Sequence, residues 1–124
     1  MSEPQVCQGG PTLIFACSGA ADVGHVADLA ARRLMTEGAG RMFCLVGVGG
    51  RVKPIMETTA AASRILVIDG CGLDCAKATL REAGFERVDH LRVTDLGLEK
   101  GKSPANEDNV AKVVVEGRCR LAGS

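Results

Sequence analysis

A chain of 124 residues is one domain by size, long enough to bury a sheet with helices on it. Its 15 acidic and 15 basic residues balance, so no whole-molecule field points to nucleic acid or to an anionic membrane surface. Three Phe, with no Trp or Tyr, also leave out the stacking platforms that single-strand binders use.

The amino terminus reads Met1-Ser2-Glu3-Pro4-Gln5, without a basic region followed by an apolar stretch, and no segment approaches the length of a membrane span. A cytoplasmic protein is expected. In a reducing compartment, six cysteines in so short a chain read better as ligands or reactive thiols than as a disulfide framework. The plain alternative is that a free Cys is a small buried hydrophobe.

Residues 1–11 read as a flexible tail ending in the turn Gln8-Gly9-Gly10-Pro11, and residues 12–124 as a single domain. Thr12 to Cys17 is a short continuous apolar run of the kind buried on both faces of a sheet. Ser18 to Asp22 turns the chain, with Ser18 or Asp22 available as helix cap. From Val23, the residues Val26, Ala27, Ala30 and Leu34 recur at helical spacing, and Gly38 and Gly40 end that helix. Arg41 to Val46 predicts a second strand, Gly47-Val48-Gly49-Gly50 a glycine loop, and about Pro54 to Ala62 a helix of small residues. Arg64 to Ile68 predicts the third strand. Leu73, Ala76 and Leu80 stripe the helix that ends at Gly84-Phe85.

Val88 to Val93 alternates polar and apolar residues more than the earlier runs, as an edge strand does. Thr94 to Pro104 is a long polar loop, a length often kept for function. Asn106-Glu107-Asp108 caps a last helix carrying Val110, Val113 and Val114, although the triplet Val113-Val114-Val115 also suits a fifth strand. The expected fold is a single Rossmann-like, three-layer α/β domain, its mostly parallel sheet of four or five strands in the order 2-1-3-4.

Such sheets bind ligands at the carboxyl ends of their strands, and four cysteines fall there: Cys17, Cys44, Cys71 and Cys75. In Cys71-Gly72-Leu73-Asp74-Cys75 a strand leads into a helix, so both thiols are expected near the positive end of a helix dipole, which stabilises thiolate. Deprotonated sulfur is both ligand and nucleophile. Strands about 4.8 Å apart and zinc–sulfur bonds of about 2.3 Å let Cys17 share a metal with that pair, while Cys44, two strands from Cys71, needs a bend at Gly47. Three ligands leave an open coordination position; four close the site.

Three strings, Cys17-Ser18-Gly19-Ala20-Ala21-Asp22-Val23-Gly24, Met42 to Gly50, and Asp69-Gly70-Cys71-Gly72-Leu73-Asp74-Cys75, carry a resemblance that runs from about Thr12 to Pro104. There the chain resembles the DGC-domain family of zinc-binding proteins, whose defining tripeptide stands here as Asp69-Gly70-Cys71. The resemblance implies that the family's four characteristic cysteines, on which its zinc-binding label rests, are Cys17, Cys44, Cys71 and Cys75. It implies no particular reaction.

The expected cofactor is zinc, although the same thiolates suit an iron–sulfur cluster. A thiol-redox or sulfur-transfer enzyme is the alternative, with Cys71 as nucleophile and Cys75 as resolving thiol. Asp69 and Cys71 are the catalytic candidates, Asp69 as general base or metal neighbour, or more plainly as a cap on the following helix. Gly47 to Gly50, with Arg51 and Lys53, offers a phosphate cradle or an ordinary turn. His25 reads as ligand or solvated histidine, His90 as facing out of the edge strand, and Lys100 and Lys102 as charges over the sheet's carboxyl edge or simply loop surface. Cys7 and Cys119 read as accessory thiols. Expected partners are a metal ion and a small-molecule substrate, with neither nucleic acid nor membrane.

Overall fold

The computed structural model describes residues 10–123, so Cys7 and most of the expected tail lie outside the described residues. Four parallel strands, β1 (Thr12–Ala16), β2 (Arg41–Met42), β3 (Arg64–Asp69) and β4 (Asp89–Arg92), form one sheet in the order β2-β1-β3-β4. Around them run α1 (Asp22–Thr36), α2 (Leu45–Gly49), α3 (Lys53–Ala60), α4 (Cys75–Glu82) and α5 (Glu107–Ala122). The expected α/β architecture and strand order are therefore present. Val113 to Val115 belongs to α5, capped by the Asn106 side chain, which accepts from the Asn109 amide at 2.9 Å.

Alternation along the two central strands builds a core on each face. Ile14, Ala16, Leu66 and Ile68 pack with α1 and α5, whereas Leu13, Phe15, Ile65 and Val67 pack with Val48 of α2 and with Ala76 and Leu80 of α4. Burying the Phe15 side chain alone is worth about 2–3 kcal/mol, and that ring also meets Phe43 edge-on. Arg64 ties the sheet to the end of α5, donating to Asp89 Oδ2 at 2.8 Å and to the carbonyls of Arg120 and Leu121 at 2.7 and 2.9 Å. Those carbonyls belong to the last turn, which has no intrahelical donors of its own.

The second strand differs from its expected span of Arg41 to Val46. Only Arg41 and Met42 pair with β1, and the chain then turns into the single turn of α2. Cys44 caps that turn: its Sγ accepts from the Gly47 amide at 3.3 Å. Gly47 sits in the helix because a side chain there would meet Ile55 at 2.7 Å. Gly47 to Gly50 is thus helix end rather than phosphate loop. The Arg51 guanidinium is already spent on the carbonyls of Val48, Gly49 and Glu82.

Neither Ser18 nor Asp22 is the N-cap of α1. That position is Ala21; Ser18 Oγ donates to Asp28 Oδ1 at 2.8 Å, and Asp22 accepts from the Val23 amide of the first turn at 2.8 Å as well as from the loop that follows β4.

Candidate functional site

In the order 2-1-3-4 the strand order reverses between the parallel strands β1 and β3, and crevices for ligands open at the carboxyl ends of strands beside such a reversal. Cys17 follows β1 and Cys71 follows β3. A cavity of about 300 Å³ opens here, with Cys17, Cys71 and Cys75 in its wall and Lys100 at its side. A wider groove of about 790 Å³ runs along α5, lined by Asn109, Lys112, Val115 and neighbours, and carries no thiol. The thiols at the sheet's carboxyl edge line the smaller cavity.

Asp69-Gly70-Cys71 can be explained residue by residue. The Asp69 carboxylate, 1 % exposed, accepts from the Ala76 amide at 2.8 Å and the Lys77 amide at 3.1 Å, so it caps α4 from the end of β3. A side chain at Gly70 would meet Gly24 N and Val23 C at 2.8 Å; glycine lets the strand end touch the start of α1. Cys71 is thereby delivered into the crevice, and the Gly70 amide donates to Cys17 Sγ at 3.3 Å.

This geometry modifies the expectation for the thiols. Only Cys75 begins α4; Cys71 lies in the preceding bend, and the amides at the helix start point to Asp69 rather than to a sulfur. What faces Cys71 Sγ instead is the Lys100 ammonium, at 3.9 Å. Lys100 therefore does stand over the sheet's carboxyl edge, whereas Lys102 pairs with Glu99 at 3.8 Å.

A clamp holds Lys100 there. Asp22 accepts from the amides of Gly101 at 2.9 Å and Ser103 at 3.0 Å, and buried Ser103 Oγ accepts from the Glu99 amide at 2.7 Å. Those amides, Gly101's first, hold the Asp22 carboxyl below the usual carboxylate range.

On the other side of β3 a second group converges. His90 Nε2 lies 2.9 Å from Asp69 Oδ2 and 3.5 Å from Asp74 Oδ1, and Arg92 grips both oxygens of Asp74 at 2.7 and 2.9 Å. The Arg92 hydrogen bonds, with the guanidinium's charge, hold the Asp74 carboxyl below its usual range. His90 thus does not face outward as expected. Among the described residues, Asp69, Asp74 and His90 are the group of three ligating side chains whose donor atoms lie within 4.8 Å of one another. Helix amides and a guanidinium already occupy those carboxylates, so the group works as a latch on the Cys71–Cys75 bend. Asp74, in the left-handed region at φ 54°, is the residue it holds.

A soft metal suits the cavity's donor chemistry, with three thiols on one wall. The fit is partial: among the described residues the three sulfurs do not all lie within 4.8 Å of one another, whereas a tetrahedral zinc site sets sulfur separations of about 3.8 Å. Cys44 is exposed and outside the cavity wall, Cys119 is exposed on α5, and His25 is exposed on α1.

Among proteins of described role, the chain is similar to the anaerobic and virulence modulator AnvM of Pseudomonas aeruginosa strain PAO1. The two are 35 % identical over 88 residues, which cover 71 % of this chain and 67 % of AnvM. No solved structure matches the chain. The DGC domain model matches residues 13–116, a span that takes in both strand ends, the Asp69-Gly70-Cys71 bend and the Lys100 loop, and the chain belongs to the DGC domain family.

Proposed function

We propose that this protein is a thiolate metal-binding module that holds zinc through Cys17, Cys71 and Cys75, with Cys44 as an outer ligand. The observation that carries this reading is the shared cavity: thiols from the segments after β1 and β3 line one wall where the strand order reverses. Two donors stand beside these sulfurs, the Gly70 amide directed at Cys17 Sγ and the Lys100 ammonium beside Cys71 Sγ. When bound, zinc would supply a fixed positive centre, either structural or, with three protein ligands, open to a small molecule.

Elemental analysis of protein purified anaerobically tests this reading, with about one zinc per chain expected. Cys17→Ser, Cys71→Ser and Cys75→Ser each lower the metal content sharply, and Cys119→Ser leaves it unchanged. Iron in place of zinc identifies a cluster instead. Absence of both metals, or equal loss from all four variants, overturns the proposal.

The 3.9 Å approach of Lys100 to Cys71 favours one second reading, a thiol-redox or sulfur-transfer role with Cys71 as nucleophile and Cys75 as resolving thiol. Metal-stripped protein would then be alkylated first at Cys71. Mass spectrometry showing Cys119 modified as fast would remove its basis.

A further inference from the structure

The side chain of Lys100 is placed with more care than an exposed lysine needs. Its loop is anchored on one side by buried Leu98 and on the other by Ser103, while Asp22 takes the two amides of the turn that carries it. The tip residues are exposed, and Gly101, at φ 90°, makes the tight turn. Among the described residues Lys100 has no carboxylate partner within 4.0 Å, although Lys102 nearby does. No acidic residue lines the cavity it faces. The rest of that wall is apolar and small, with Ala20, Ala21, Val23 and Leu73 beside the first turn of α1, whose end carries partial positive charge.

An apolar cavity with one cation at its side and no carboxylate in its wall has a definite complement. We infer that the cavity binds a small organic anion, its apolar body against Ala20, Ala21, Val23 and Leu73 and its carboxylate or equivalent group on Lys100. The inference rests on the reading of this cavity as the binding site, and it gives that site a ligand class. A volume of about 300 Å³ suits a molecule of metabolite size. Lys100 contributes the charged contact, and Asp22, which accepts from the loop amides and from the Val23 amide of α1, is a positioning residue.

Benzoate and its neutral isostere benzamide separate the charge from the shape. Each is titrated into the protein as purified and after metal removal, followed through the backbone amide resonances of Gly19, Gly24 and Gly70. Benzoate is expected to bind about tenfold more tightly than benzamide, the scale of a hydrogen bond to a charged partner. Lys100→Met abolishes the difference while leaving benzamide unchanged, and Asp22→Asn narrows it. Equal binding of the two probes, no binding of either, or a benzoate preference that survives Lys100→Met overturns the inference. Metal content measured on the same samples reports separately on zinc. A benzoate preference in protein that carries no metal as purified sinks the zinc reading alone, and a protein that is zinc-loaded as purified but lacks that preference sinks this inference alone.

Discussion

His90 Nε2 reaches from the edge strand to within 2.9 Å of Asp69 Oδ2, and the same carboxylate receives the first amides of α4. Asp69 therefore joins β3, β4 and α4 at one buried point beneath the thiol-bearing bend. Removing it strands two amides and an imidazole away from water. Asp69→Ala is expected to lower unfolding free energy by about 2–4 kcal/mol, and Asp69→Asn by about 1–2, since the amide oxygen keeps one acceptor. Urea unfolding followed by circular dichroism measures both; a loss under about 0.5 kcal/mol for the alanine variant would show that the cap carries no weight.

Gly70, next in the chain, lets the end of β3 meet the start of α1. A methyl group there would come within 2.8 Å of backbone atoms of Val23 and Gly24, which no side-chain rotation relieves. Gly70→Ala is expected to cost about 2–3 kcal/mol and to push the Cys71 bend outward, lowering metal affinity at the same time. Ala at Gly72, where nothing lies within 4 Å, serves as the control and should change neither.

Acid should loosen the molecule at two places near the thiols. The loop amides of Gly101 and Ser103 depress Asp22, and the guanidinium of Arg92 depresses Asp74, from an ordinary value of about 3.8. A carboxyl with a depressed folded value contributes stability that is fully present above its unfolded value and is lost as pH falls through the folded one. Thermal midpoints should therefore hold level above about pH 5 and fall below about pH 4. Asp22→Asn and Arg92→Met should each flatten that fall, and an unchanged profile in both would deny these carboxylates the role.

The central strands were legible because β1 and β3 are buried on both faces and so read as continuous apolar runs, Leu13 to Ala16 and Ile65 to Ile68. The same logic overextended β2: Phe43 to Val46 is apolar, yet its residues turn away to meet Phe15 and to start α2. His90 was misjudged for a related reason. On β4, His90 and Arg92 share one face and Leu91 the other, and alternation suggests that the polar face meets water. That face is closed instead by the start of α4, and side-chain polarity reports a chemical partner as readily as solvent. The Asp22 clamp gave no local signal, since its partners lie 79 and 81 residues away.

Cys44 decides whether the proposed metal site is closed. It is the exposed cap of a one-turn helix, its sulfur engaged by the Gly47 amide and outside the wall formed by Cys17, Cys71 and Cys75. α2, which it caps, packs against α4, which Cys75 begins. To join the others, Cys44 must release Gly47 and swing inward. Cys44→Ala is therefore expected to retain zinc with weakened affinity, measured by competition with a chromophoric chelator, and to leave an open position for a small molecule. Cobalt substitution gives an independent view: three thiolates and a water yield a weaker sulfur-to-cobalt charge-transfer band than four thiolates. If Cys44→Ala abolishes metal binding altogether while the fold persists, the four cysteines make a closed structural site, and the anion cavity beside them has no metal to offer its ligand.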